Sequence, residues 1–262
     1  MAQDFARRFS DFSFRISFGL RVSDFGVLSA AMKPLAECRL YTFIDTAYLH
    51  GRPSADVAQQ LCDGGSDVIQ LRAKTTSLDE IRRMAEAILP ITQRAGVWLV
   101  INDHLQVALE TGAPVCHLGQ EDFFDTGFQH IPQLLRAPGG TPPLNPQPST
   151  LTPPRPHIGL STHAPAQAVR ALAADADYIA IGPVYRTGTK PSAQPVTLDY
   201  VRWAAANVPI PWFAIGGITL QNLDAVLAAG ARRVCVVSAI LNAPDLVQAC
   251  QQFKQRLTSA PL

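Results

Sequence analysis

The chain of 262 residues is 47% hydrophobic and 16% charged, enough apolar side chains for the core of one large domain or two small ones. Its net charge of +1 at pH 7 gives no overall field favouring nucleic acid or an anionic membrane, and no apolar run approaches the ~20 residues of a membrane span. The five cysteines have no CxxC spacing, which argues against a disulfide framework or a zinc site and favours a reducing, cytoplasmic location.

Residues 1–37 differ in composition from the rest of the chain. Six of the twelve phenylalanines lie here, interleaved with arginine and aspartate. The segment lacks the apolar stretch of a secretory signal, and its aspartates weaken a transit-peptide interpretation. We expect a flexible or loosely docked extension, or an upstream start in front of Met32.

Short apolar runs alternate with segments of helical periodicity from residue 38 to residue 257. The apolar runs predict strands at residues 39–44, 67–71, 97–101, 115–118, 157–160, 177–181, 212–215 and 233–237. The predicted helices are residues 53–62, 77–95, 105–111, 126–135, 164–174, 197–206, 219–229 and 243–257. Nearly continuous apolar strands indicate burial on both faces. Eight such units predict a closed parallel (β/α)8 TIM barrel, an α/β fold, with a doubly wound open sheet as the alternative.

Residues 137–157 interrupt this alternation. Eight of the 21 prolines lie between Pro138 and Pro156, so the segment cannot pack as a helix or a central strand. Because it joins a helix to the next strand, we expect a loop on the face opposite the active site. Docking of a proline-recognising partner is a less favoured alternative.

Two aspartates follow neighbouring predicted strands. Asp103 comes after the third strand and Asp122 after the fourth. The carboxyl ends of parallel strands meet at one face, so the two carboxylates should converge there. Carboxylate oxygens suit a hard cation, and the pair therefore predicts a Mg2+ site. The alternative is that each aspartate caps the helix that follows it.

Groups suited to a diphosphate follow the second strand. Alternation along the chain puts Gln70, Arg72 and Lys74 on one side. Arginine offers a planar fork and lysine a point charge, and both suit a diphosphate. Ser161 and His163 follow the fifth strand, where helix capping is an equally good interpretation.

Groups suited to a phosphate follow strands six to eight. The loop from 182 to 191 contains two threonines, two glycines and Lys190. Gly216-Gly217 follows strand seven and Val237-Ser238 ends strand eight, the region where TIM barrels often bind phosphate. The site thus predicts a cation, a diphosphate arm and a separate phosphate cup, and hence two phosphorylated small-molecule substrates.

Six segments carry a family resemblance over residues 38–257. In chain order they are Gln70-Leu-Arg72-Ala-Lys74, Ile101-Asn102-Asp103, His117-Leu-Gly119-Gln120-Glu121-Asp122, Gly159-Leu-Ser161-Thr-His163, Gly182-Pro-Val-Tyr-Arg-Thr187-Gly-Thr189-Lys190 and Ala214-Ile-Gly216-Gly217-Ile218. Together they closely resemble the thiamine-phosphate synthase family. The resemblance implies a transferase that joins hydroxymethylpyrimidine diphosphate to a thiazole phosphate, releasing diphosphate and giving thiamine phosphate.

The resemblance also implies roles for individual residues. Mg2+ would be held by Asp103 and Asp122. The pyrimidine diphosphate would contact Gln70, Arg72, Lys74, Asn102, Ser161 and Lys190, and the catalytic members of that set would be Arg72, Lys74, Ser161 and Lys190. The thiazole phosphate would contact Thr187, Gly188, Thr189, Gly216, Gly217, Val237 and Ser238.

The chain departs from the family pattern at a few positions. Ala73 stands in place of an acid, which would loosen how Arg72 and Lys74 are held. His104 replaces a frequent arginine and Arg186 a frequent proline, while Pro114-Val115 replaces Asp-Gly. None of these changes removes a predicted ligand.

Two other functions are weighed against the synthase. A thiazole tautomerase, a related barrel, would use a histidine such as His163 and would need no diphosphate site. A non-catalytic phosphoester-binding barrel with a regulatory role would predict that the metal-binding acids are lost. The intact set Lys74, Asp103, Asp122 and Lys190 favours the synthase over both.

Overall fold

A computed structural model describes residues 31–136, 155–189 and 193–259. Its strands are β1 (Leu40–Asp45), β2 (Val68–Arg72), β3 (Trp98–Asn102), β4 (Val115–Leu118), β5 (His157–Thr162), β6 (Tyr178–Ile181), β7 (Trp212–Ile215) and β8 (Val234–Cys235). Each strand pairs in parallel with the next along the chain, and β8 closes onto β1. The TIM-barrel prediction is therefore confirmed, and the open-sheet alternative is wrong.

Helices cover the outside of the barrel. They are α1 (Ser54–Asp63), α2 (Leu78–Ala95), α3 (Leu105–Thr111), α4 (Ile131–Arg136), α5 (Pro165–Ala173), α6 (Thr197–Asn207), α7 (Leu223–Ala228), α8 (Ser238–Leu241) and α9 (Leu246–Ser259). Short 3-10 turns occur at Leu35–Glu37 and Thr46–Tyr48, and a π-helical turn at Glu121–Asp125. None of the described helices is long and apolar enough to cross a membrane.

The longest helix, α2, begins and ends where its sequence predicts. The Ser77 hydroxyl accepts a hydrogen bond from the Glu80 backbone N–H at 3.3 Å, which satisfies one of the unpaired first-turn donors. The Glu80 carboxylate pairs with Arg83. Gly96 ends the helix at φ +66°, a left-handed conformation that costs glycine little.

Three predicted elements differ in extent from the observed ones. The predicted helix 126–135 is interrupted by Gly127 at φ +94°, so that only its second half, α4, is helical. Helix α7 starts four residues late because the Asn222 side chain accepts a hydrogen bond from the Thr219 N–H at 2.8 Å and closes a turn there. Strand β8 is only two residues long, and α8 begins at Ser238 soon after it.

Aromatic side chains fill the interior of the barrel. The rings of Tyr41 and Tyr178 each meet the edge or face of Phe213, with centroid separations of 5.2 Å and 5.7 Å. All three side chains are buried. The barrel is therefore a packed core and not a pore, and a ligand can enter only above this layer.

The chain segment before β1 closes the N-terminal end of the barrel. The buried Asp67 carboxylate pairs with Lys33 at 2.9 Å and also with Lys254 of α9. The Trp98 indole N–H donates to the Lys33 carbonyl at 2.7 Å, and Arg233 Nε donates to the Ala36 carbonyl at 3.1 Å. Residues 33–36 are thus docked onto the barrel.

Two predictions of organisation concern segments outside the described residues. Residues 1–30, the larger part of the predicted extension, are not among them, and neither are residues 137–154 of the proline-rich insertion. The insertion joins the C-terminus of α4 to the N-terminus of β5. Its position away from the active site stays a prediction.

Candidate active site

A cavity of about 380 Å³ opens at the C-terminal ends of the strands. Its wall includes most of the predicted site residues, namely Gln70, Arg72, Lys74, Asn102, Asp103, Asp122, Ser161, Thr187, Thr189, Gly216, Gly217, Val237 and Ser238. Gly188 is not among the lining residues, and its predicted contact with the thiazole phosphate stays a prediction. Lys190 lies outside the described residues.

A buried carboxylate holds Arg72 on the cavity wall. The parallel register places Asp45 at the end of β1 opposite Arg72 at the end of β2. Arg72 Nη1 donates to Asp45 Oδ2 at 2.7 Å, and Asp45 is only 1% exposed. The other Asp45 oxygen accepts a hydrogen bond from the Ala47 N–H at 3.0 Å. Arg72 therefore has an acidic partner although position 73 is alanine, because Asp45 on the neighbouring strand supplies the carboxylate.

Lys74 pairs with an aspartate that is itself oriented by its neighbour. The Lys74 ammonium contacts Asp103 Oδ2, and the Asn102 amide donates to the same oxygen at 2.6 Å. Asp103 has φ +64°, and its backbone N–H donates to the His117 carbonyl at 2.8 Å, which extends the pairing of β3 with β4. Lys74 is 51% exposed and Asp103 is 17% exposed, so this pair is open to ligands in a way that the Asp45 pair is not.

Asp103 does not cap the helix after it, and Asp122 lies inside the turn that follows β4. His104 occupies the cap position of α3 and makes no side-chain cap bond. Asp122 lies in the π-helical turn, where its Oδ2 accepts a hydrogen bond from the Gly119 N–H at 3.2 Å. Both carboxylates line the same cavity, together with Glu121. The capping alternative is thus wrong for Asp103 and unsupported for Asp122.

The two carboxylates suit a Mg2+ ion that is bound partly by substrate and water, and they are too few for a metal held by protein side chains alone. The described residues contain no group of three or more His, Cys, Asp or Glu side chains that could hold an ion. Mg2+ is commonly bound by one or two carboxylates together with substrate phosphates and water. Asp103 and Asp122 on one cavity wall match that pattern.

Two glycines shape the opposite rim. Gly216 and Gly217 have φ +102° and +63°, and a Cβ on either would lie 2.5 Å from Pro183 Cα or the Arg186 carbonyl oxygen. Any side chain would therefore push the loop after β6 away. The short helix α8 begins beside this rim at Ser238, and its Ile240 and Leu241 N–H groups both donate to the Val237 carbonyl, at 3.1 Å and 2.9 Å.

The loop after β6 is fixed by a residue from the loop after β1. The Tyr48 hydroxyl bonds to Thr189 Oγ1 at 3.1 Å, and Thr187 Oγ1 accepts a hydrogen bond from the Thr189 N–H at 3.3 Å. Arg52 in turn donates to the Tyr48 and Leu241 carbonyls at 2.7 Å and 2.8 Å. The predicted phosphate contacts Thr187 and Thr189 thus belong to a braced loop.

Buried polar residues form the inner wall of the cavity. His117 is 7% exposed, and its two ring nitrogens lie 3.0 Å from the Tyr178 hydroxyl and 2.9 Å from Ser161 Oγ. The Gln70 amide donates to the Tyr41 hydroxyl at 2.7 Å. Burial, with a smaller effect of the Lys74 charge, lowers the pKa of His117 from 6.5 to about 4.

The polar residues at the end of β5 and directly after it do not act as helix caps. Ser161 bonds to His117, and Thr162 donates to the Ala180 carbonyl at 3.0 Å. His163 Nδ1 contacts the Gly182 carbonyl, and α5 is capped at Ala164 without a side-chain bond. The capping alternative for Ser161 and His163 is therefore wrong, and both line the cavity.

Comparison with known proteins identifies relatives of this chain. A sequence model of the family described as thiamine monophosphate synthase matches residues 40–126 and 146–240. A thiamine-phosphate synthase of Thermus thermophilus is 41% identical over 203 residues, which are 77% of this chain and 88% of that protein. One of Methanoregula boonei is 36% identical over 223 residues, covering 84% of this chain and 94% of the relative.

A solved structure shares the fold. The thiamine phosphate pyrophosphorylase of Pyrococcus furiosus aligns with a TM-score of 0.72 at 23% identity. The alignment covers 87% of this chain and 99% of that one. At this identity the likeness supports the barrel architecture alone.

Replacing Asp45 should weaken anion binding at Arg72. In Asp45→Asn the guanidinium loses its buried charged partner, and we expect inorganic diphosphate with Mg2+ to bind about tenfold more weakly. Isothermal titration measures this. Asp199→Asn is the control, because its carboxylate is 87% exposed and pairs with Arg202 on the surface. Equal affinity in Asp45→Asn and the unmutated protein would contradict the positioning role.

The lowered pKa of His117 should make stability depend on pH. Between about 4 and 6.5 the unfolded chain binds more protons at this site than the folded chain, so the free energy of unfolding should fall as the pH drops through that window. Urea unfolding at several pH values measures the slope. His117→Gln should flatten it. An unaltered slope in His117→Gln would show that another group causes the dependence.

Proposed function

This chain belongs to the thiamine monophosphate synthase family, and on that premise we propose that it is a thiamine-phosphate synthase, a transferase of thiamine synthesis. It joins hydroxymethylpyrimidine diphosphate to a thiazole phosphate and releases diphosphate. One observation carries the proposal beyond membership: a single cavity is lined by cations and carboxylates at the ends of β2 to β4 and by a glycine rim after β7, which lies across the closed barrel from them.

The first wall suits a metal-bound diphosphate. Arg72 is held by Asp45 and presents a fixed guanidinium, while the half-exposed Lys74 can exchange Asp103 for a phosphate oxygen. Asp103 and Asp122 would hold Mg2+, which when bound would offset the negative charge of the leaving diphosphate. Lys190, adjacent to the braced loop, is proposed as a further cation for this substrate.

The second wall suits the phosphate of the thiazole partner. Gly216 and Gly217 keep side chains out of the rim, and Val237 and the Ser238 hydroxyl line the cavity beside them. Thr187 and Thr189 add hydroxyl donors from the loop after β6. Two separate anionic groups would thereby hold the two reactants in one cavity at a fixed orientation.

The reaction needs little acid–base chemistry from the protein. The bond between the pyrimidine methylene carbon and the diphosphate oxygen breaks, and the diphosphate leaves with the electron pair. The thiazole nitrogen then forms the new bond to that carbon. The cavity residues act mainly by neutralising the departing charge through Arg72 and Lys74.

The alternatives explain fewer features of the cavity. A thiazole tautomerase would employ His163, which lines the cavity, but would leave the Arg72 and Lys74 wall without a role. A non-catalytic regulatory barrel predicts the loss of the metal-binding acids, and Asp103 and Asp122 are both retained on the wall.

A cytoplasmic location is proposed as well. All five cysteines are unpaired. Burial raises the pKa of Cys38 and Cys62 to about 12, so these thiols are protonated and unreactive near neutral pH. Such buried thiols suit a reducing compartment.

The activity can be tested directly. The purified chain, incubated with hydroxymethylpyrimidine diphosphate, thiazole phosphate and Mg2+, should form thiamine phosphate and diphosphate in equal amounts, detected by chromatography. Chelation of the metal should stop the reaction, and added Mg2+ should restore it. Isomerisation of the thiazole without any coupled product would favour the tautomerase, and neither reaction would favour the regulatory barrel.

Removing one metal-binding carboxylate should stop turnover without unfolding the protein. Asp122→Ala should lower kcat at least about a hundredfold, because the charge of the leaving diphosphate is less well neutralised. The matched control is Asp125→Ala, an acid of the same π-helical turn that does not line the main cavity. Circular dichroism should show an unchanged fold in both. Full activity of Asp122→Ala would overturn the metal assignment.

A further inference from the structure

A continuous hydrogen-bond chain crosses the inside of the barrel under the cavity. It runs from the Gln70 amide to the Tyr41 hydroxyl (2.7 Å), then to the Tyr178 hydroxyl (3.2 Å). From Tyr178 it continues to His117 Nδ1 (3.0 Å), and His117 Nε2 reaches Ser161 Oγ (2.9 Å). Gln70, Tyr41, His117 and Ser161 line the cavity, whereas Tyr178 is 1% exposed and does not.

The donor at one end favours one direction for the bonds of this hydrogen-bond network. The Gln70 N–H donates to the Tyr41 oxygen, whereas either hydroxyl can be the donor between Tyr41 and Tyr178, and the roles at His117 depend on its tautomer. If each hydroxyl donates away from Gln70, Tyr41 donates to Tyr178 and Tyr178 donates to His117 Nδ1. A neutral imidazole that accepts at Nδ1 carries its proton on Nε2 and donates to Ser161 Oγ.

Resting on the proposed function, we propose that this hydrogen-bond network keeps the Ser161 hydroxyl proton free to donate to the pyrimidine diphosphate. Tyr178 is the positioning residue on which this depends. Ser161 Oγ receives its hydrogen bond from His117 and therefore does not spend its own proton on the histidine. At the other end, the amide nitrogen of Gln70, a cavity-lining residue, donates to Tyr41, which leaves the carbonyl oxygen of the same amide as the acceptor. The wall thus offers one oriented donor and one oriented acceptor.

A glycine makes room for the residue in the middle of the chain. Gly159 on β5 lies opposite Tyr178 on β6 in the parallel register. A Cβ at Gly159 would collide with the Tyr178 ring and hydroxyl. The missing side chain lets Tyr178 extend across β5 to His117 on β4, which links residues of strands that are not neighbours.

The tautomer of His117 is the direct test and does not depend on activity. Nitrogen-15 NMR of the labelled protein should show the proton on Nε2, with Nδ1 as an acceptor. A proton on Nδ1 would mean that His117 donates to Tyr178 and that Ser161 donates to His117 Nε2, which would overturn the proposal. A doubly protonated ring at pH 7 would overturn it equally.

The kinetic test removes one hydroxyl. Tyr178→Phe leaves Nδ1 of His117 without its donor, so both tautomers become populated, and kcat should fall about fivefold, the usual cost of one lost hydrogen bond. KM for the thiazole phosphate should stay within about twofold, because that substrate binds the other wall. The matched control is Tyr200→Phe, which removes a buried hydroxyl that donates to Thr162. Thr162 is the residue after Ser161 and does not belong to the hydrogen-bond network.

A double-mutant comparison separates positioning from general destabilisation. In a Ser161→Ala background, Tyr178→Phe should change kcat by less than about twofold, because its effect acts through Ser161. An equal loss in both backgrounds, or an equal loss in Tyr200→Phe, would overturn the positioning role. If the unmutated protein makes no thiamine phosphate, the proposed function fails. The NMR result still decides the direction of the hydrogen bonds in the network.

Discussion

The parallel register of the closed barrel is the constraint on which the rest of the molecule depends. Because every strand runs the same way, the polar residues after them reach a single mouth. The register also chooses the partners: Asp45 lies opposite Arg72, Asn102 opposite His117, and Gly159 opposite Tyr178. A shift of one residue in any of these pairs would turn the side chain towards the helices.

Two ion pairs of different character serve the same wall. The Asp45 carboxylate is buried and cannot leave Arg72 without losing its charged partner in a low-dielectric setting, so it acts as a fixed support. The contact between Lys74 and Asp103 is more exposed, and either group can be released to another partner at modest cost. Arg72 is therefore held in a fixed position, whereas Lys74 can exchange its carboxylate partner for a ligand. Both cations of this wall are paired with a carboxylate.

The architecture and the rim residues could be predicted from the sequence because they depend on local patterns. Apolar runs gave the strands, and polar residues at their ends marked the cavity. The supports could not be predicted in this way: the pairing of Asp45 with Arg72 and of Tyr178 with His117 joins residues that are far apart along the chain. Only the pairing of the strands at a particular register brings them together. The contact of Tyr48 with Thr189 was not predicted either, because it also joins residues that are far apart along the chain.

The shared carboxylate at the N-terminal end of the barrel has a topological consequence. Lys33, ahead of the first strand, and Lys254, in the last helix, meet on the same Asp67 side chain. The beginning and the end of the barrel are thus side by side, on the side away from the mouth. A short linker could join them, and new termini could be opened in a surface loop, which would give a circularly permuted barrel with the same catalytic rim.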